Sequence, residues 1–402
     1  MTLSRTTSFW MLAATLSLLL FASSAPSPLY VVYQGQWDFS ALTLTAVFAV
    51  YAFALLGALL VSGSVSDHAG RRPTLIVGLL VEIVAMLAFA EATGVGWLLA
   101  ARALQGVATG VAMGSISAAL LDLQPRSRPW LGGLVGAVAP MSGLAVGALM
   151  TGLLVDHAPY PTRLVFWLLL GAFAAALALA AAVPETVESN GRWKTTLRPR
   201  AGVPVHLRPM FAAALPSLAA TWALGGLVLS LGPSITSEIL GAGSHLVGAL
   251  PIFVMAGVSA VMSVVIRDLD PRAATRGGLV ALIAGVSVAL TAIVAESSLL
   301  FLAGATICGL GFGPAFAGVF RVLTQLAPAD RRGEMVSSVL VVAYLAFSGP
   351  ALVAGIAVTQ VGLRETALVY GGVLIAMAAL ALALSHRLGV VAPEHAEAVA
   401  RV

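Results

Sequence analysis

The chain has 402 residues, of which 9% are charged and 59% hydrophobic, with a formal net charge of +4. Ordinary soluble domains carry about 25% charge, so this chain lacks the polar surface that a water-soluble protein of its length requires. The positive excess lies beside long apolar stretches, where it serves orientation, and it points to no nucleic-acid partner.

A hydrocarbon core about 30 Å thick needs roughly 20 apolar residues per helix, and unpaired backbone groups are too costly in lipid for open, irregular spans. The first apolar stretch, 9–29, is long for a secretory signal, and Pro26-Ser27-Pro28 makes a poor cleavage site, so it reads as an uncleaved first span. Spans two to six are expected at 42–61, 74–89, 97–121, 131–155 and 164–183. Spans seven to twelve follow at 210–231, 246–266, 278–294, 299–323, 336–358 and 367–384. The fold class is therefore an all-α membrane protein of 12 transmembrane helices. The lone Cys308 falls in span ten and excludes an intramolecular disulfide.

Alternate loops distinguish the two membrane faces. One set carries Arg71 and Arg72, Arg126 and Arg128, Arg267, Arg272 and Arg276, and Arg331 and Arg332. The connector after span six belongs to it, with Arg192, Lys194, Arg198, Arg200 and Arg208, whereas the opposite loops offer Arg163 and Arg364. The positive-inside bias places the first set and both termini in the cytoplasm, in a plasma or inner membrane.

The halves repeat at an offset of about 200 residues. Asp67-x3-Arg71 recurs as Asp268-x3-Arg272, Gly106-x3-Gly110 as Gly309-x3-Gly313, and Arg163 as Arg364. This order predicts two pseudo-symmetric six-helix bundles, 1–183 and 210–387, with a cytoplasmic connector at 184–209 and a tail at 388–402. Such duplicated plans hold substrate between their halves. The small faces made by Gly106, Gly110 and Gly114, and by Gly309 and Gly313, predict close helix contacts.

Three motifs carry a family resemblance. The stretch Gly63-x3-Asp67-x2-Gly70-Arg71-Arg72 joins spans two and three; Arg102-x2-Gln105-Gly106 lies in span four; Ala139-Pro140-x2-Gly143 lies in span five. Together they resemble the major facilitator superfamily over about residues 9–387, in a drug/proton antiporter-like or sugar-efflux-like branch. The span-five pattern departs from the antiporter form, with Ala139 and Leu144 where that form has glycines, which leaves the transport direction open. The resemblance implies a conformational latch at Gly63, Asp67, Gly70, Arg71 and Arg72, with a degraded twin at Asp268 and Arg272. Without it, the loop reads as a topology signal and a tight turn.

Two ionisable residues lie well inside spans, Glu82 in the third and Arg102 in the fourth. A charge at the bilayer centre costs about 2.5–3.5 kcal/mol on insertion scales, so each needs a partner, water or a function. Their depths differ by roughly one turn, a gap that long side chains bridge. The resemblance implies proton coupling for Arg102, and Glu82 is then the default proton carrier. The alternatives are a snorkelling arginine and a neutral acid held at a helix contact. Span one has no acid to attract cations, and Ser24, Tyr30, Gln105, Trp222, Phe312 and Phe316 are the candidate cavity residues.

The histidines fall in loops or tails and there is no phosphate-binding loop, so neither an enzyme, a metal site, a cofactor nor ATP-driven transport is expected. The expected function is proton-coupled efflux of a small neutral or hydrophobic molecule by a monomer in the lipid bilayer. The alternative is a proton symporter or facilitator for uptake of a small metabolite such as a sugar.

Overall fold

In the computed structural model, helices follow from the absence of any water-exposed partner for the backbone along each apolar run. It describes residues 3–62, 65–187, 201–328 and 331–387; Gly63, the connector cations Arg192, Lys194, Arg198 and Arg200, and the tail at 388–402 lie outside them. Among the described residues there is no strand. The described residues include eleven helices long and apolar enough to cross a membrane: α1 (Arg5–Trp37), α2 (Ala41–Ser62), α3 (Arg71–Ala90), α4 (Val95–Leu123), α5 (Leu131–His157), α7 (from Arg208 to Ser230), α8 (His245–Val265), α9 (Pro271–Val294), α10 (Ser298–Leu326), α11 (Arg332–Val361) and α12 (Leu363–Leu384). The sixth expected span is the shorter α6 (Leu164–Ala180), whose 17 residues reach about 25 Å, the lower limit for crossing.

Three boundaries differ from the sequence reading for local reasons. Helix α1 runs beyond the expected 9–29 because Ala25 keeps a right-handed helical conformation, so the chain bends through Pro26 and Pro28 and continues to Trp37. Helix α9 starts seven residues before its apolar core: Asp270 accepts hydrogen bonds from the backbone of Arg272 and Ala273, and Pro271 takes the first position, where no N–H is needed. Helix α7 is extended past Ser230 by the turn Gly232–Ser234 and a π-turn at Ile235–Ile239. Elsewhere, apolar residues at helical spacing remain uncovered, such as Val77, Leu80 and Val84 of α3, as expected of a lipid-facing stripe.

In the first half α4 packs on both α2 and α3, α1 on α5, and α3 on α6; in the second α10 packs on α8 and α9, and α12 on α7 and α9. Glycines set the closest approaches. A Cβ on Gly106 would collide with the Tyr51 carbonyl and one on Gly110 would stand 2.7 Å from that of Leu55, while Gly309 meets Met255 of α8 in the same way at 2.7 Å. Gly114 faces open space, so the small face of α4 ends one step earlier than its spacing suggested.

The halves meet along α5 against α8 and α2 against α11. The principal buried cluster runs continuously through both halves. A second cluster (Leu207, Met210, Leu218, Val319, Leu323, Met335, Val339) belongs wholly to the second half, at the arginine-rich face.

Candidate functional site

The centre of the molecule is organised by a proline. Pro26 has no N–H to give the carbonyl four residues before it, so the Ala22 oxygen lacks its helical partner. Gln105 Nε2 on α4 donates to that oxygen at 2.9 Å. One residue further on, Ser23 O accepts from Arg102 Nη1 at 3.0 Å. Arg102 also donates to Gln105 Oε1 at 2.7 Å and, through Nε at 2.8 Å and through Nη2, to the Tyr30 hydroxyl. Four of the five guanidinium N–H groups are thereby used. The guanidinium also lies 5.0 Å from the centre of the Tyr51 ring. With 1% exposure this cation is as buried as the apolar core.

Gln105 joins the two intramembrane charges. Its Nε2 reaches Glu82 Oε1 at 3.5 Å, and Glu82 is fully buried where α3 packs on α4. Glu82 Oε2 has no hydrogen-bond partner among the described residues. The sequence reading left Glu82 and Arg102 to meet directly; here the amide of Gln105 connects them, possible because Arg102 and Gln105 stand three residues apart on one helical face.

Beside this relay lies a cavity of about 100 Å³. The first half contributes Ser23, Phe48, Tyr51, Arg102 and Met141, and the second Trp222, Met255, Phe312, Tyr344 and Phe347 among others. Of the candidates named from sequence, Trp222 and Phe312 line it, while Phe316 supports Trp222 edge-on at 5.3 Å. Tyr30 and Gln105 stand behind Arg102 and hold it, and the Ser24 hydroxyl donates to Phe21 O at 3.1 Å. The aromatic residues of α2 and α11 were missed, although Phe48-x2-Tyr51 and Tyr344-x2-Phe347 each place two rings on one helical face. Phe48 and Phe347 meet across the halves at 4.9 Å.

At the arginine-rich face, the loop before α3 forms a charge network. Arg71 pairs with Asp67, donates to Ser66 Oγ at 2.7 Å and reaches Asp122 Oδ2 at 3.4 Å. Glu185, just beyond α6, accepts from the backbone N–H of Arg71 at 2.8 Å and of Arg72 at 3.0 Å. Gly70 permits this approach: its φ is +103°, and a Cβ there would stand 2.7 Å from Glu185 Oε2. Arg72 reaches the Ala181 carbonyl at 3.5 Å. The twin loop is built differently. Asp268 bonds its neighbour Arg267 at 2.7 Å, which holds the Asp268 carboxyl below its usual range, and Asp270 rather than Asp268 bonds the Arg272 backbone. Arg267 lies 4.4 Å from the ring centre of Trp130, so this pair bridges the halves.

At the arginine-poor face, Asp156 near the end of α5 clasps the start of α8. It accepts from Ser244 Oγ at 2.5 Å, from the backbone N–H of His245 at 3.0 Å and Leu246 at 2.9 Å, and contacts His245 Nδ1 at 2.8 Å. Gly152 allows the contact, since a Cβ there would meet His245 O at 2.9 Å. On the opposite seam Gly355 of α11 packs against Thr45 and Ala41 of α2.

A family model described as Major Facilitator Superfamily matches residues 10–350. The chain belongs to the major facilitator superfamily. This facilitator is therefore a multi-pass, all-α membrane protein. It is 29% identical to a multidrug transporter of Candida glabrata over 187 residues, covering 45% of this chain and 31% of that protein. It is 32% identical to a citrate exporter of Aspergillus niger over 137 residues, 33% of this chain and 26% of that one. The matches thus span about a third or less of those relatives' length. The facilitator's fold resembles the crystal structure of a D-xylose-proton symporter, with TM-score 0.72 at 16% identity, covering 94% of this chain and 97% of that one.

Proposed function

We propose that this facilitator exports a small neutral or hydrophobic molecule in exchange for protons entering the cell, by alternating access between bundles 1–183 and 210–387. The carrying observation is the Glu82–Gln105–Arg102 relay against the wall of the central cavity. With Glu82 ionised, its charge offsets that of Arg102, and the cavity wall tolerates an apolar occupant. Protonating Glu82 leaves the guanidinium uncompensated, and an apolar ligand would then strip water from a bare cation. Proton and substrate therefore exclude one another, as exchange requires. Efflux is also supported by the export named for the Aspergillus niger relative.

The rest of the molecule supplies the moving parts. In this reading the arginine-rich face is cytoplasmic and the second half's separate cluster marks where the bundles part. Asp156 holds the external face shut and releases it when the carrier opens outward, while the Asp67, Arg71, Asp122 and Glu185 network and the Trp130–Arg267–Asp268 contact hold the cytoplasmic face in that state.

The test is transport by the full chain in proteoliposomes with an imposed pH gradient, with substrate and lumenal pH followed together. Exchange predicts opposite fluxes that both stop in Glu82→Gln. Substrate flux indifferent to the gradient, or parallel fluxes, overturns the export reading, the latter in favour of uptake by symport.

A further inference from the structure

We infer that the central cavity is built for an uncharged aromatic molecule carrying a hydrogen-bond acceptor at one end. This rests on the cavity being the transport site and names the class of substrate it takes. The second half supplies an aromatic wall: Trp222 lies 5.1 Å from Tyr344 and 5.9 Å from Phe347 between ring centres. Gly225 keeps that wall open, because a Cβ there would stand 3.2 Å from Phe312. A volume of about 100 Å³ matches one ring, with Met113, Met141 and Met255 as adaptable lining.

The polar end is set by donors that lack acceptors. Trp222 Nε1 and the Tyr51 hydroxyl are buried without hydrogen-bond partners among the described residues, and both side chains line the cavity. The Ser23 and Thr109 hydroxyls neighbour that of Tyr51, but the Tyr51 oxygen is itself unpartnered among the described residues, so neither contact has the geometry of a formed bond. An indole N–H only donates, and the guanidinium of Arg102, which also lines the cavity, retains one N–H unused among the described residues. Burying such groups unpaired is costly, and a carbonyl, ester or ether oxygen would satisfy them. Charge narrows the class further. The lining includes Arg102 and no acid, which disfavours an organic cation. Ionised Glu82 behind Arg102 offsets the pull of the guanidinium on an anion, whereas a neutral acceptor draws on the donors without disturbing the relay.

The experiment is isothermal titration of the full chain in lipid nanodiscs, blanked against empty discs, with four single-ring probes of similar size. These are 4-chloroacetophenone (neutral acceptor), 4-chlorotoluene (no acceptor), 4-chlorobenzylammonium and 4-chlorobenzoate. The acetophenone should bind about fivefold tighter than the toluene, as one net hydrogen bond allows, and at least tenfold tighter than either ion. Trp222→Phe keeps a ring but removes the donor, and Tyr51→Phe removes the hydroxyl; each should erase most of the acetophenone's advantage while leaving toluene binding in place. Tightest binding by either ion overturns the inference, as does an acetophenone advantage unchanged in both variants. The titration uses no gradient, so failure of proton exchange leaves this result standing, and gradient-driven export of a cation would sink the substrate class alone.

Discussion

Replacing Asp156 by Asn removes the charge from the clasp between α5 and α8 while preserving shape. The carboxylate takes two bonds on each oxygen, and its side chain is 15% exposed, so these bonds are only partly screened by water. An amide retains one acceptor oxygen and turns the other atom into a donor, which opposes the Leu246 N–H or, with the amide turned over, the His245 N–H, while the Ser244 hydroxyl can rotate to accept. Hydrogen bonds to charged groups contribute about 1.5–3 kcal/mol each. One is lost outright and the others lose their charge, but the side chain is rehydrated when the seam opens, and a net loss of about 2 kcal/mol is a fair order of magnitude. That corresponds to roughly a 30-fold shift of the equilibrium towards the state open at the arginine-poor face. The assay is pulsed electron-electron distance measurement between spin labels replacing Glu91 and Leu299, on opposite halves at that face, in a Cys308→Ala background. Asp156→Asn should add or enlarge a longer-distance population. A folded variant with an unchanged distance distribution would refute the reasoning, since the clasp would then bear no part of the closure.

Gln105→Leu should cut the Glu82–Arg102 relay and orphan the Ala22 carbonyl; substrate binding persists but its proton release, read in weakly buffered detergent solution, disappears. Persistent release would show that the two charges communicate by another route. Gly106→Leu drives a side chain into the Tyr51 carbonyl and should lower stability by about 1–3 kcal/mol, seen as a reduced melting temperature in detergent; an unchanged melting point would count against the tight α2–α4 contact. Glu185→Ala removes the cap on the start of α3 and should cost about 1 kcal/mol, with faster amide exchange at Arg71 and Arg72. Unaltered exchange there would mean that water replaces the carboxylate without loss.

The sequence was informative wherever a property is local. Apolar runs specify the spans, because in lipid only a helix satisfies the backbone within the segment, and Arg102-x2-Gln105 shares a face by helical period alone. The start of α9 was missed because hydropathy measures the hydrophobic core, whereas the helix begins at a polar cap, Asp270, followed by Pro271. The twin loop differs from the first for a related reason. Asp268-x3-Arg272 copies the spacing of Asp67-x3-Arg71, but the neighbouring Arg267 bonds the Asp268 carboxylate.

By itself, then, the sequence determined a polytopic, all-α membrane protein of the major facilitator superfamily, since length, hydropathy and motif order require no knowledge of what touches what. Only the tertiary structure decided the contacts at the centre and at the two faces. Gln105 stands between Glu82 and Arg102 because Pro26 exposes a carbonyl on another helix, and Asp156 meets residues 88–90 positions away because α5 and α8 lie side by side. Such contacts depend on the packing of distant helices, and spacing along the chain carries no record of it.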